Sequence, residues 1–352
     1  MKQLAHVLVL VLAMISLHSA ILADGPMKWQ PISPSSPISS SNILKTVSNP
    51  YQLGHMVALG SGHGQVWHSY DNGSTWKRVG ASFPTSVGVS DVTFRDEKTI
   101  LITLVKGDSF QGIVRSKDGG VTWLIQSGPE QGLPILNLPG RAQSILAVAD
   151  KSSTIYLAAG GKVYTSTDSG SNWGKISHDS GDGGDAGGLP KTATVSLAGR
   201  FGWGGVVFGG DAGVWYVHPE GFLRDLKSSF SNITKVSVDQ NDVVYAICSG
   251  QTDHGLYQFD PSKDRWTHLK DENGLSDIAI DPHDPNKMVL ISHEVPSTHT
   301  SPALWISVDA GKSWTRSMSG LPSTGFNHVA YDSSHRGRMI LSTNRGIWIA
   351  NN

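Results

Sequence analysis

The chain has 352 residues, with 28 Lys and Arg against 29 Asp and Glu for a net charge of −1, and no basic stripe, which excludes nucleic acid as an expected partner. Its single cysteine, Cys248, excludes an internal disulfide, so the fold must rest on burial and backbone pairing. Forty Gly and 11 Trp, set among short β-branched runs with no helical period after the first residues, point to an all-β protein.

Residues 1–23 read as a signal peptide. Lys2 supplies a positive start, Leu4 to Ile15 is apolar but too short to span a bilayer, and the small residues Ser19, Ala20 and Ala23 offer a cleavage site. No later segment is apolar enough to cross a membrane, so the expectation is a secreted mature chain, 24–352, forming one monomeric domain. Its first segment, Lys28-Trp29-Gln30-Pro31-Ile32-Ser33, matches Asn172-Trp173-Gly174-Lys175-Ile176-Ser177 and reads as a lone fourth strand.

Four later segments align without gaps: Ser69-Tyr70-Asp71-Asn72-Gly73-Ser74-Thr75-Trp76, then the same frame at Ser116–Trp123, Ser166–Trp173 and Ser307–Trp314. Asp oxygens can accept from turn N–H groups that face no partner strand, Gly supplies a left-handed φ, and Trp opens the next strand. Asp71, Asp118, Asp168 and Asp309, with Trp76, Trp123, Trp173 and Trp314, are therefore read as structural. Degenerate copies run from Gly213 to Leu226 and from Gly255 to Leu269. Third strands then begin near 64, 112, 161, 213, 255, 303 and 346, an even spacing of about 47 residues. Pairs of earlier strands, such as Ser90–Phe94 with Ile100–Val105 and Ser276–Ile280 with Met288–Ser292, precede them. Four short strands repeated seven times predict a single seven-bladed β-propeller of four-stranded antiparallel blades. The chain ends on a third strand, Gly346–Ala350, so the N-terminal strand is expected to close the last blade. Val243–Cys248 is an apolar second strand, which makes Cys248 a buried thiol.

The pattern Ser-x-Asp-x-Gly-x-x-Trp resembles the Asp-box, or bacterial neuraminidase repeat, and the resemblance covers nearly all of the mature chain. Sialidases, xyloglucan-cleaving glycosidases, sortilin receptors and photosystem-II assembly factors share this hairpin, so it does not select a function. Sialidases of this architecture carry an Arg-Ile-Pro motif and three arginines on the substrate carboxylate. Here the tripeptide is absent, and only Arg141 and Arg345 are expected on the ligand face. The xyloglucan-cleaving enzymes resemble two tandem propellers, where this chain predicts one.

In a propeller, the loops after second strands and between blades share one face, opposite the Asp-box turns. The candidate ligand-binding residues on that loop face are Asp108, Arg141, Asp211, Asp253, His254, His293, Glu294 and Arg345. Asp179, Asp182 and Asp185, in an acidic Gly-rich loop, are the one place where Ca²⁺ could collect, and no other cofactor is expected. No catalytic constellation stands out. The expected function is non-catalytic binding of a glycan or protein, with a sialidase-like glycoside hydrolase as the alternative and an assembly factor resembling the photosystem-II propellers as a second. Sequons at Asn72-Gly73-Ser74 and Asn232-Ile233-Thr234 could carry glycan.

Overall fold

The computed structural model describes residues 27–351 apart from 33–35, 81–82, 85, 107–108, 126–143, 148–153, 160–161, 176–193, 200–204, 212, 219–222, 251, 295–300 and 324. The signal-peptide reading of 1–23 and the calcium reading of Asp179, Asp182 and Asp185 lie outside these residues, as do Asp108 and Arg141.

The chain is an all-β propeller of four-stranded antiparallel sheets; among the described residues the strands pair into seven. Sheet 1 holds Ile43–Ser48, Met56–Gly60, Val66–Ser69 and Lys77–Arg78. Sheet 2 holds Gly88–Phe94, Ile100–Lys106, Ser109–Ser116 and Leu124–Ile125. Sheets 3 and 4 begin at Ser144–Ala147 and Thr194–Gly199. Sheet 5 runs from Ile233–Val238 to Arg265–Lys270, and sheet 6 from Leu275–Asp281 to Thr315–Arg316. Sheet 7 orders Phe326–Tyr331, Arg338–Thr343 and Gly346–Asn351, and its fourth strand is Gln30–Pro31 from the other end of the chain, with Gln30 opposite Ile349 and Pro31 opposite Trp348.

Each first strand touches the first strands of the sheets before and after it, and the first strand of sheet 7 touches that of sheet 1, so the ring is closed. The second strands explain why the ring is needed. Met56–Gly60, Ile155–Ala159 and Val206–Gly210 are buried at every position. A strand buried on both faces reads as a continuous apolar run and must be covered twice. The covering comes from neighbouring sheets: the buried apolar side chains form clusters that each straddle one seam. Val57, Leu59 and Val66 of sheet 1 meet Val92, Ile102 and Val114 of sheet 2. Ile340 and Ile347 of sheet 7 meet Ile43, Met56 and Trp67 of sheet 1.

Polar contacts reinforce that last seam. Ser342 Oγ donates to Thr46 Oγ1 at 2.8 Å, and Asn327 Nδ2 donates to Asn42 Oδ1 at 2.8 Å and to the Ile43 carbonyl at 2.7 Å. Trp29 is 1% exposed, its ring packed with Leu304, Met339, Leu341 and Ala350 between sheets 6 and 7.

Phe83 lies in the connection from sheet 1 to sheet 2, outside any strand, yet it is 3% exposed and stands edge-on to Trp123 with ring centroids 5.3 Å apart. Aromatic pairs favour this T-shaped geometry, which gives a loop residue a core role.

Both rings can be tested together. Trp29→Ala should lower the unfolding free energy by about 3–5 kcal/mol, as large aromatic truncations in cores do, and Phe83→Ala should cost a comparable amount. Denaturant unfolding followed by tryptophan-independent circular dichroism checks both; a near-neutral Trp29→Ala would mean that the ring does not depend on the N-terminal strand.

Candidate functional site

The four Ser-x-Asp-x-Gly-x-x-Trp turns share one hydrogen-bond pattern. In sheet 2, Ser116 Oγ donates to Asp118 Oδ1 at 2.7 Å and accepts from Gly120 N at 2.8 Å. Asp118 accepts from Val121 N, Thr122 N and Thr122 Oγ1, and Trp123 Nε1 donates to the Gly120 carbonyl at 3.0 Å. Gly120 has φ +101°, a left-handed conformation that a side chain rarely adopts. The turns at Asp71, Asp168 and Asp309 repeat the Ser-to-Asp bond, the donation to Asp from the N–H of the residue before Trp, and the Trp-to-Gly-carbonyl bond, closing on Trp76, Trp173 and Trp314.

Burial separates the two polar residues of this motif. Asp71, Asp118 and Asp168 are exposed and Asp309 is half-buried, whereas Ser69, Ser116, Ser166 and Ser307 are each 1% exposed. Desolvation works to raise the Asp118 pKa, but the donors from Thr122, Ser116 and Val121 outweigh it and hold the carboxyl down at about 2. Desolvation is likewise outweighed at Asp71, Asp168 and Asp309, where hydrogen bonds from their own turns lower the carboxyls.

The turns contact the first-to-second-strand turns of neighbouring strands: Asn72 N donates to the Gly54 carbonyl, and Gly119 N to the Lys98 carbonyl. The loops after second strands instead contact the between-sheet connections. Gly64 N donates to the Val87 carbonyl, His293 N to Gly274 and Asn344 N to Gly325. The two sets therefore occupy opposite faces, as expected.

On the loop face the described candidates are dispersed. Asp211 is exposed in sheet 4, and its carbonyl accepts from Asn232 N at 3.3 Å. In sheet 5 the Asp253 side chain is exposed, and its carbonyl accepts from the Cys248 thiol at 2.6 Å; burial pushes that thiol up to about 11, which keeps it protonated near neutral pH. His254 Nε2 lies 2.9 Å from Asp271 Oδ1. His293 and Glu294 are exposed in sheet 6, and Arg345 is exposed in sheet 7 in the turn after Thr343. Of these candidates Glu294 lines a cavity of about 550 Å³, with Arg316, Met318, Pro302, Pro322 and Ser323. Among the described residues, no three His, Cys, Asp or Glu side chains are placed to hold a metal ion.

Sequence reasoning missed a ring of charge around the axis. Lys45, Asp91, Lys235, Asp277 and His328 occupy the same place on five first strands, at β-bulges where the pairing register slips. Each follows an apolar residue by two, in Ile43-Leu44-Lys45, Val89-Ser90-Asp91, Ile233-Thr234-Lys235, Leu275-Ser276-Asp277 and Phe326-Asn327-His328. Aligning the first strands, as the third strands were aligned, would have shown it.

The ring stitches sheets together. Asp91 pairs with Lys45 of sheet 1 and accepts from Ile145 N of sheet 3 at 2.9 Å. Asp277 pairs with Lys235 of sheet 5 at 2.7 Å and accepts from Val329 N of sheet 7 at 3.0 Å. A cavity of about 330 Å³ opens beside Lys235, Ser237 and His328. Burial works against both charges of the second pair, but mutual attraction wins: Asp277 lies below the usual carboxylate range, and Lys235 lies above the usual amine range. His328 Nε2 stands 3.7 Å from Asp277 Oδ2, too far for a hydrogen bond, and burial pushes the imidazole down to about 3 despite that carboxylate. Asp277 is thus held ionised and the His328 imidazole neutral.

No protein-family model matches this chain, and no curated protein does. Solved structures match its fold. It is similar to the GH74 xyloglucanase from Xanthomonas campestris, with TM-score 0.70 and 14% identity over 93% of this chain and 54% of that one. It is similar to YCF48 from Cyanidioschyzon merolae, with TM-score 0.63 and 17% identity over 92% of this chain and 99% of that one. It also resembles the extracellular domain of the putative one-component system BT4673 from B. thetaiotaomicron, with TM-score 0.65 and 15% identity over 92% of this chain and 40% of that one. The chain spans about half the length of the xyloglucanase. At these identities the similarity speaks for the fold.

Two outcomes follow. Ser116→Ala strands the buried Gly120 N–H and should cost about 1–3 kcal/mol, more than Asp118→Ala at its exposed site, by chemical denaturation. His328 stays neutral in the folded chain down to about pH 3, whereas an unfolded imidazole titrates near 6.5. The unfolded chain then binds more protons between those values, so stability falls as pH drops through that window. His55, pushed down to about 4 by burial and by His68, acts in the same direction. In melting profiles, His328→Gln should be less sensitive to pH between 6.5 and 4 than the parent; an equal slope would remove His328 from the linkage.

Proposed function

We propose that this chain is a secreted Asp-box propeller that binds a glycan or protein ligand on its loop face without turning it over. The observation that carries this reading is the cavity of about 550 Å³ between the sheet 6 loop and the connection into sheet 7. Its volume lies in the range of small-molecule sites. Its lining is amphipathic: Glu294 and Arg316 supply charge, Ser301 and Ser323 supply hydroxyls, and Pro302, Pro322 and Met318 supply apolar surface. Such a lining suits a sugar ring, with hydroxyls at its edge and C–H groups on its faces, and it suits a polar peptide segment equally. Glycoside hydrolysis uses two carboxylates flanking the bond. Among the described lining residues Glu294 is the one acid. The axial acids Asp91 and Asp277 each already hold a lysine and a backbone N–H of a neighbouring sheet, which leaves neither free to flank a substrate bond.

A glycoside hydrolase is the second reading, and the similarity to a xyloglucanase over 93% of this chain favours it. A glycan array, run beside a panel of fluorogenic glycosides and a pull-down of extracellular proteins, separates the two. Binding without turnover is expected, with Arg316→Ala and Glu294→Gln each weakening it at least tenfold while the melting temperature holds. Turnover abolished by Glu294→Gln would establish the hydrolase instead.

A further inference from the structure

The two sequons sit in different surroundings, and the difference assigns them different fates. Asn232 lies on the loop face at the entrance to sheet 5. Its backbone is clamped on both sides: its N–H donates to the Asp211 carbonyl at 3.3 Å, and its carbonyl accepts from Ser249 N at 3.1 Å. Its φ of +56° is a left-handed turn conformation that Asn tolerates better than most residues. The side chain is exposed, and its amide reaches only Ser231 Oγ, at a marginal 3.5 Å. Thr234, the third residue of the sequon, is exposed as well, at the bulge between Ile233 and Lys235.

Asn72 lies on the opposite face, inside one of the repeated turns. Its N–H donates to the Gly54 carbonyl at 3.0 Å, and its carbonyl accepts from Arg338 Nη2 of sheet 7 at 2.8 Å. Its carboxamide oxygen is buried. It lies 3.5 Å from where a Cβ on Gly54 would stand. The Nδ2 that would carry a sugar shares one planar carboxamide with that enclosed oxygen, so a glycan there would crowd the turn that Arg338 ties to sheet 7.

We infer that Asn232 is an N-glycosylation site of this protein and that Asn72 is not. The donor class is an oligosaccharide linked to a lipid pyrophosphate. The Asn232 Nδ2 atom attacks C1 of the reducing-end sugar; the N–C1 bond forms, the C1–O bond to the pyrophosphate breaks, the lipid pyrophosphate leaves with the bonding pair, and the amide gives up one proton to a base of the transferase. The attached glycan stands on the loop face beside Asp211, on sheets 4 and 5, and leaves the Glu294 cavity on sheets 6 and 7 uncovered.

The test is the full chain secreted from cultured insect cells, with residues 1–23 replaced by an established leader so that the result does not depend on the native one. Peptide N-glycosidase, which leaves Asp where a glycosylated Asn stood, followed by peptide mass spectrometry, should convert residue 232 and leave residue 72 as Asn. Asn232→Gln and Thr234→Ala should each abolish the glycosidase-sensitive gel shift, Thr234→Ser should retain it, and Asn72→Gln should leave it unchanged. An unmodified Asn232 in the parent protein, or a glycan on Asn72 in the folded secreted product, would overturn the inference.

Discussion

Everything in this molecule depends on the burial of second strands on both faces. A sheet whose inner strands are apolar above and below cannot stand by itself in water, and here every such sheet is covered by its two neighbours. Coverage of that kind has no natural end except closure. The seam between sheets 7 and 1 therefore carries apolar contacts and also several cross-sheet hydrogen bonds, including Ser342 to Thr46 and Asn327 to Ile43. The axial carboxylates act on the same problem from inside. Asp91 and Asp277 each hold a lysine of the preceding sheet and a backbone N–H of the following one, so each ties three sheets at a point where a bulge has released the backbone from its own ladder.

What could be read from the residues alone was whatever repeats. The Asp, Gly and Trp of the turns, the spacing of third strands and the unmatched strands at the two ends all recur or fail to recur in fixed frame, and the pairing of Gln30–Pro31 with Gly346–Asn351 follows from them. What escaped was set by depth. The Ser of each turn is visible in the pattern, but a hydroxyl shows its importance only when neighbouring strands remove it from water. Phe83 sits in a connection with no period, so nothing in its local pattern foretold that it would reach Trp123. The axial charges were hidden because each bulge breaks the alternation by which inward and outward positions are told apart.

The candidate site shows the same division. Chain order places Asp211, Asp253, Glu294 and Arg345 on one face, since alternate connections of an up-and-down sheet must emerge on the same side. It does not say which of them borders a hollow. That depends on how the sheet 6 loop leans against the connection carrying Met318 and Pro322, a relation between segments with no shared pattern. Glu294 gains a chemical setting by that approach, while Asp211 and Asp253 remain solvated.

The strand at Gln30–Pro31 has a consequence for how the protein is made. Its partner lies roughly 320 residues later, so on a ribosome the first part of the ring to emerge is the last able to pair. Pairings so distant in sequence raise contact order, and high contact order slows folding. Trp29 must wait, unpaired and apolar, through the synthesis of every other sheet. The seventh sheet is thus a latch whose two halves leave the ribosome at opposite ends of the ring's synthesis.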